Sequence, residues 1–274
     1  MAFRDDDLTT LAADGLPPLP EADESTHVLN DGASIWYASF GDGPAVVLLH
    51  GGLGNAGNWT YQVPALVEAG YRVIAIDSRG HGRSTRDARP LSYRLMAADT
   101  RAVLDHLGID RAAIVGWSDG ADTGLILAQE TPDRVAGLLF FACNVDSTGT
   151  LPFAFTDIIG RIYNRHVADY AALSATPGDW ESFSAAVGEM QRTQPELSAA
   201  ELATIDVPVS VVLGEYDEFI RREHMNYLAQ TLPQATHTIL PEVSHFAPLQ
   251  RPEVFNAAML EFVGRVLSSA AGHD

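Results

Sequence analysis

Residues 112–124, AAIVGWSDGADTG, constrain the fold of this chain more than any other stretch. Residues 112–115 form a short apolar run of the kind that makes a buried parallel strand, and it stops at Gly116. Helix-forming Leu125, Ile126, Leu127 and Ala128 follow Gly120 and Gly124. Ser118 sits between the glycines in G-x-S-x-G, a pattern that demands strand, one very tight turn, then helix. Such a turn holds its serine at strained backbone angles. The positions two before and two after it must lack side chains, because a Cβ at either would strike the neighbouring strand or the turn itself. Gly116 and Gly120 meet that demand. A lone G-x-S-x-G also fits a surface turn; the strand before it and the helix after it favour an exposed nucleophile.

Composition narrows the classes. The chain has 274 residues, 46% hydrophobic and 19% charged, as expected of a globular chain of one large or two small domains. Its start, MAFRDDDLTT, has neither the basic nor the apolar region of a secretion signal, and no apolar run reaches membrane-spanning length. A cytoplasmic location is expected. Cys143 is the single cysteine, which rules out an internal disulfide and a cysteine-based zinc cluster. A formal net charge of −19 argues against a nucleic-acid or anionic-membrane partner. All 17 basic residues are arginine. Without lysine there is no Schiff base, no pyridoxal enzyme, no Walker P-loop and no Ser–Lys dyad.

The remaining chain reads as an alternation of strands and helices with one interruption. Residues 1–24 are acidic, carry Pro17, Pro18 and Pro20, and read as a poorly ordered arm. Residues 26–29 and 34–40 flank Asp31-Gly32 and predict a β-hairpin with a two-residue primed turn. Residues 45–49, AVVLL, predict a strand buried on both faces. The next residues, 50–57, spell G-x-G-x-x-G after a strand, and a second strand at 72–76 ends in Asp77, close to a dinucleotide-binding fingerprint. Pro64 opposes that reading, since it would fall deep inside a helix that started within the glycines, at a cost of about 3 kcal/mol. A helix starting near Val63 makes Pro64 favourable and the glycines an open loop. Asp77 and His81, in the loop DSRGHGRS, are candidates for catalysis, but loop-fixing hydrogen bonds are the favoured assignment. A helix follows over 93–107, and a strand over 135–142.

Between 144 and 206 the alternation lapses into several short helices with turns at Pro152, Pro177-Gly178 and Pro195. A structureless loop of that length does not belong inside a domain, so the segment is expected to be a helical insertion. Strands at 209–213 and 236–240, a helix at 224–231 and a closing helix at 252–267 complete the chain.

Serine needs a base to take its proton, and the base needs a partner to hold its tautomer. Asp217 and His245 each lie just beyond the C-terminal end of a late strand, the sheet edge where ligands bind in open α/β folds. Competing assignments are Glu215, Glu218 or Asp146 for the acid, and a simple helix cap for Asp217; His50, His81 and His106 read as structural.

Five motifs in order, H-G-G, D-x-R-G-H-G-x-S, G-W-S-D-G, G-E-x-D and S-H-F with Pro252-Glu253 shortly after, resemble the α/β-hydrolase family from about residue 26 onward. The resemblance implies an α/β fold with a mostly parallel eight-stranded sheet flanked by helices. Its core is expected at 25–143 and 207–274, and a helical cap at 144–206. It also implies that the backbone N–H groups of Gly52 and Asp119 form an oxyanion hole. Expected function is cofactor-independent cleavage of a small carboxylic ester through an acyl-enzyme, with no metal and with Ser118, His245 and Asp217 as the triad. The fold equally supports a triad-retaining ligand-binding or signalling protein, a cofactor-free perhydrolase or a C–C hydrolase. Related haloalkane dehalogenases and epoxide hydrolases use an aspartate nucleophile, which Ser118 does not match. The spelling G-W-S-D-G is similar to the valacyclovirase (biphenyl-hydrolase-like) branch, implying that Asp119 receives an α-amino group, although Ala121 stands where that branch has a second glycine. Trp117, Phe153 and Trp180 are further candidates for substrate contact. A small-molecule substrate and a monomer or homodimer complete the expectation.

Overall fold

The computed structural model describes Leu8 and residues 13–270. Eight strands form one sheet in the order β1-β2-β4-β3-β5-β6-β7-β8. The hairpin opens it: β1 (Glu24–Asn30) pairs antiparallel with β2 (Ala33–Phe40), and Asp31 and Gly32 turn between them at φ 42° and 81°. Both values are positive, as a two-residue primed turn requires. β2 also runs antiparallel to β4 (Arg72–Ile76). From β4 onward every pairing is parallel, through β3 (Ala45–Leu49), β5 (Ala112–Trp117), β6 (Val135–Phe141), β7 (Val209–Gly214) and β8 (Ala235–Leu240). All residues of β3, β5, β6 and β7 are buried, which explains why their sequences are continuous apolar runs rather than alternating ones.

Helices cover both faces. α1 (Gln62–Glu68) begins slightly earlier than expected and carries Pro64 at its third position, inside the first turn where a missing N–H breaks no helical bond. The glycine loop before it is not a helix start: Asn55 caps a separate 3₁₀ turn, Ala56–Trp59. α2 (Tyr93–His106) and α3 (Asp119–Glu130) follow β4 and β5. The insertion after β6 is helical: α4 (Asp157–Leu173), α5 (Trp180–Thr193) and the one-turn α6 (Ala199–Leu202). α4 and α5 are longer than the short helices expected, because no proline falls between Pro152 and Pro177 or between Pro177 and Pro195. α7 (Arg222–Thr231), α8 (Ala247–Gln250) and α9 (Pro252–Ala270) end the fold. No helix among the described residues is long and apolar enough to cross a membrane.

The acidic arm is partly described. Leu16, Leu19 and Ala22 pack half-buried against the core, the Pro18 carbonyl accepts from Thr60 Oγ1 at 3.3 Å, and Asp23 Oδ2 accepts from Gly41 N–H at 2.6 Å. Residues 1–7 and 9–12 of that arm lie outside the described residues.

Candidate active site

Parallel strands bring their C-terminal ends to one edge, and the loops leaving β3, β5, β6, β7 and β8 meet there beneath the insertion. Ser118 leaves β5 at φ 52°, ψ −124°, where a non-glycine residue stays only if its surroundings over-determine it. Its N–H donates to the Phe141 carbonyl at 2.9 Å, and its carbonyl accepts from Ala121 N–H at 2.7 Å. A Cβ on Gly116 would lie 2.5 Å from Ala121 Cα, and one on Gly120 would land on the Leu49 carbonyl. Both contacts are with backbone, so neither glycine can be replaced without moving a strand or the turn.

Asp217 follows β7 and divides its carboxylate between two tasks. Oδ1 accepts from Phe219 N–H at 2.9 Å and Ile220 N–H at 2.8 Å, while Oδ2 receives His245 Nδ1 at 2.9 Å. The capping role and the partner role therefore coexist. With Nδ1 engaged, Nε2 is the nitrogen left for the pocket. Burial works to lower the pKa of His245, but the charge and hydrogen bond of Asp217, then Glu218 and Asp119, outweigh it and hold the imidazole above its usual value.

The rival acids are otherwise occupied. Glu218 Oε2 accepts the backbone N–H of His245 at 3.0 Å, Glu215 Oε2 that of Glu242 at 2.9 Å, and Asp146 caps its own turn through Thr148 N–H at 2.8 Å. The other histidines brace loops. His50 joins the Gly51 carbonyl (2.7 Å) to Ser78 N–H (3.0 Å), His81 Nδ1 meets the Arg79 carbonyl at 3.0 Å, and His106 packs edge-on against Tyr37. Asp77 is buried and accepts from Ala56 N–H, Arg83 N–H and the Arg83 guanidinium at 2.7–2.9 Å, tying the glycine loop to the loop after β4.

The glycine loop lies directly against the serine: a Cβ on Gly51 would be 3.3 Å from Ser118 Cβ. Neither Gly52 N–H nor Asp119 N–H donates to an acceptor among the described residues. Both residues line the same cavity as Ser118.

Asp119 is buried and faces the pocket rather than bulk water. Its Oδ1 accepts from Tyr93 Oη at 3.0 Å, and Gln191 Nε2 on α5 lies 3.1 Å from each of its oxygens. Burial pushes its pKa up to about 6, against the downward pull of Gln191, Tyr93 and His245.

The site opens into a cavity of about 380 Å³ between the sheet edge and the insertion. Ser118, Asp119, Trp117, Phe153 and His245 line it, as does Gly52. Trp180 does not. Its Nε1 donates to Tyr163 Oη at 3.0 Å, and Tyr163 is the residue that reaches the cavity, so Trp180 stands one layer behind. Residues without a sequence signal for this role are Tyr93, Gln191 and Phe219; each depends on how elements distant in the chain dock. Among the described residues no cluster of His, Cys, Asp and Glu is arranged to hold a metal ion.

Residues 44–157 match the family model for the alpha/beta hydrolase fold. Over 255 residues the chain is 30% identical to the putative carbamate hydrolase RutD of a Caulobacter species, covering 83% of this chain and 95% of that one. Epoxide hydrolase B of Mycobacterium tuberculosis is 39% identical over 142 residues, half of this chain and only 38% of that protein. A solved structure described as an N-acyl homoserine lactone degrading enzyme superposes with a TM-score of 0.68 at 30% identity, covering 86% of this chain and all of the other.

Proposed function

Because the chain belongs to the α/β-hydrolase family, we propose that it is a cofactor-independent serine hydrolase that cleaves a small carboxylic ester or related acyl compound. The observation that carries this reading is Ser118, held at φ 52° on the wall of the same cavity as a His245–Asp217 pair joined at 2.9 Å. Ser118 Oγ attacks the carbonyl as His245 Nε2 takes its proton, and Asp217 stabilises the imidazolium. The amides of Gly52 and Asp119 bind the oxyanion, each contributing about 2.7–4 kcal/mol at the transition state. His245 then returns the proton to the leaving alcohol, and water repeats the sequence on the acyl-enzyme.

Carbamates and lactones, named for two of the relatives, also react at an acyl carbonyl and fit the same sequence of steps. Epoxide opening by an elbow carboxylate does not fit. Serine occupies the strained position, and the neighbouring Asp119 carboxylate is held by Tyr93 and Gln191. In its ionised form, the buried Asp119 biases the acyl side by charge: an amino-acyl ester is favoured over an anionic acyl ester of equal size by up to a few kcal/mol at an effective dielectric of ~20.

A serine-reactive phosphonate is expected to label the wild type at Ser118 and not Ser118→Ala, and the variant should lose turnover on a chromogenic ester panel. Failure to label the native protein would overturn the mechanism. A single slow event without sustained turnover would favour a ligand-capturing receptor.

A further inference from the structure

Histidines from three elements meet where the insertion lies on the sheet edge. His50 leaves β3, His81 belongs to the loop after β4, and His166 sits in the middle of α4. The rings of His50 and His81 lie 5.1 Å apart, and His81 meets Phe183 of α5 edge-on at 4.7 Å. Phe183 is fully buried and stacks on Tyr170 of α4, also at 4.7 Å. Ring contacts therefore run from the sheet loops into both long helices of the insertion.

The hydrogen bonds hold these rings neutral. His50 Nδ1 donates to the Gly51 carbonyl at 2.7 Å and Nε2 accepts from Ser78 N–H at 3.0 Å, so both nitrogens are spent. His81 donates from Nδ1 to the Arg79 carbonyl at 3.0 Å, which leaves Nε2 as a buried lone pair without a donor. His166 Nδ1 is likewise buried without a partner. A second proton at His81 Nε2 would find no acceptor, and one on His166 would leave its Nδ1–H without one; a buried charge so placed is costly. The neighbouring charges are mostly of the same sign. His81 faces His50, His166 and Arg86, and Arg86 also lies over Phe183 at 5.9 Å. His166 faces His50, His81 and Arg165, and the opposing Asp169 is already bonded to Arg165. Asp77, beside His50, is bonded to Arg83. Burial, reinforced by these like charges, lowers His81 to about 3 and His166 to about 4.

We propose that this cluster is an acid-sensitive latch on the cap: α4 and α5 close over the sheet edge while His81 and His166 are neutral, and protonation of the two rings releases them. The inference concerns the seam and does not depend on the chemistry at Ser118. In the released state both rings reach water and take protons near the ordinary histidine value of about 6.5. The closed state resists protonation, so closure is complete above that value and weakens as pH falls below it. Between pH 7.5 and pH 5 each histidine should favour release by roughly tenfold or more. Release would also remove Ile159, Ile162 and Gln191 from the cavity wall.

Amide hydrogen exchange on the intact protein at pH 5 and pH 7.5, corrected for the intrinsic effect of pH, reads the latch without any substrate. Peptides from α4 and α5 are expected to lose protection at pH 5 by roughly a hundredfold, while those from β3, β5 and β6 keep theirs. In His166→Leu the loss should shrink to roughly tenfold, and in the double variant with His81→Asn it should be absent. Asp119, with a pKa of about 6, gains a proton in the same range and is held from α5 by Gln191; both residues remain in the variants. A loss of protection that survives in the double variant would belong to Asp119 and overturn the proposal. Equal protection of α4 and α5 at the two pH values in the wild type would overturn it too, as would a loss shared by the sheet, which is general acid unfolding. If the double variant does not fold, His166→Leu decides alone, and an undiminished response there rejects the latch.

Discussion

His245 is subject to opposing influences whose balance is measurable. Burial alone would lower its pKa, yet Asp217, Glu218 and Asp119 raise it above 6.5. The proposed mechanism uses the neutral imidazole as base, so kcat/KM should rise with pH through a midpoint above 6.5. Glu218→Gln keeps an acceptor for the His245 N–H but removes one negative charge, so the midpoint should move to lower pH. A profile on a chromogenic ester with an unmoved midpoint would reduce Glu218 to a purely mechanical role. Asp122 presents the reverse case. It is fully buried one turn into α3, receives only the Cys143 thiol at 3.1 Å, and its Oδ1 has no partner among the described residues. Burial raises its pKa well above 3.8. The folded protein then holds a proton that the unfolded chain releases, and stability is lost as pH rises from 3.8 toward the folded value. Asp122→Asn mimics the neutral acid, so calorimetry should show a higher Tm than wild type at pH 8 and a gain that vanishes near pH 4. An equal Tm difference at both pH values would show that Asp122 is not the titrating group.

Elements differ in how much of them sequence alone reveals. The elbow is legible because its demands are local: three backbone positions within five residues admit only small groups, and the collisions at Gly116 and Gly120 are with main chain. Gly120→Ala should therefore destabilise the protein by at least about 3 kcal/mol in a urea melt, the upper range of overpacking, since no flexible side chain can move aside. A smaller loss would mean that the turn yields. The buried strands were legible for a related reason, as a sheet covered on both faces requires unbroken apolar runs. The helices of the cap could be bracketed by their prolines, but not the faces they present. Trp180 and Gln191 sit eleven positions apart on α5, both able to face the sheet by sequence. Only the docking of α5 on α3 decides that Gln191 reaches Asp119 and that Trp180 is screened by Tyr163. The sequence of the insertion carries no information about which of its rings touch the cavity.

Across the whole molecule, sheet and cap divide the labour of the site. The sheet edge holds His245 and Asp217 within hydrogen-bonding distance and carries Ser118 at the same edge, because each sits on a short loop between buried strands and covering helices. The cap supplies shape, and on the side of His245 its Phe153 and Phe155 extend a file of rings that begins at Phe219, in the loop after β7. Phe219 packs edge-on against His245 at 4.7 Å, Phe153 stacks on Phe219 at 6.0 Å, and Phe155 meets Phe153 at 6.2 Å. Phe153 and Phe155 are 64% and 67% exposed, so the file runs from the imidazole to the surface. Large apolar rings left in water at a cavity mouth contribute little to folding, and their free energy is available to a ligand instead. In the proposed mechanism His245 returns its proton to the leaving alcohol, so the alcohol would lie beside these rings and the file should favour aromatic alcohols. Phe153→Ala should leave Tm nearly unchanged and lower the preference for a benzyl over a methyl ester of the same acid by about three- to tenfold, the worth of one aromatic pair. The loss should appear in KM more than in kcat, because the ring touches the leaving group and not the reacting atoms. An unchanged benzyl-to-methyl ratio would place the alcohol elsewhere in the cavity.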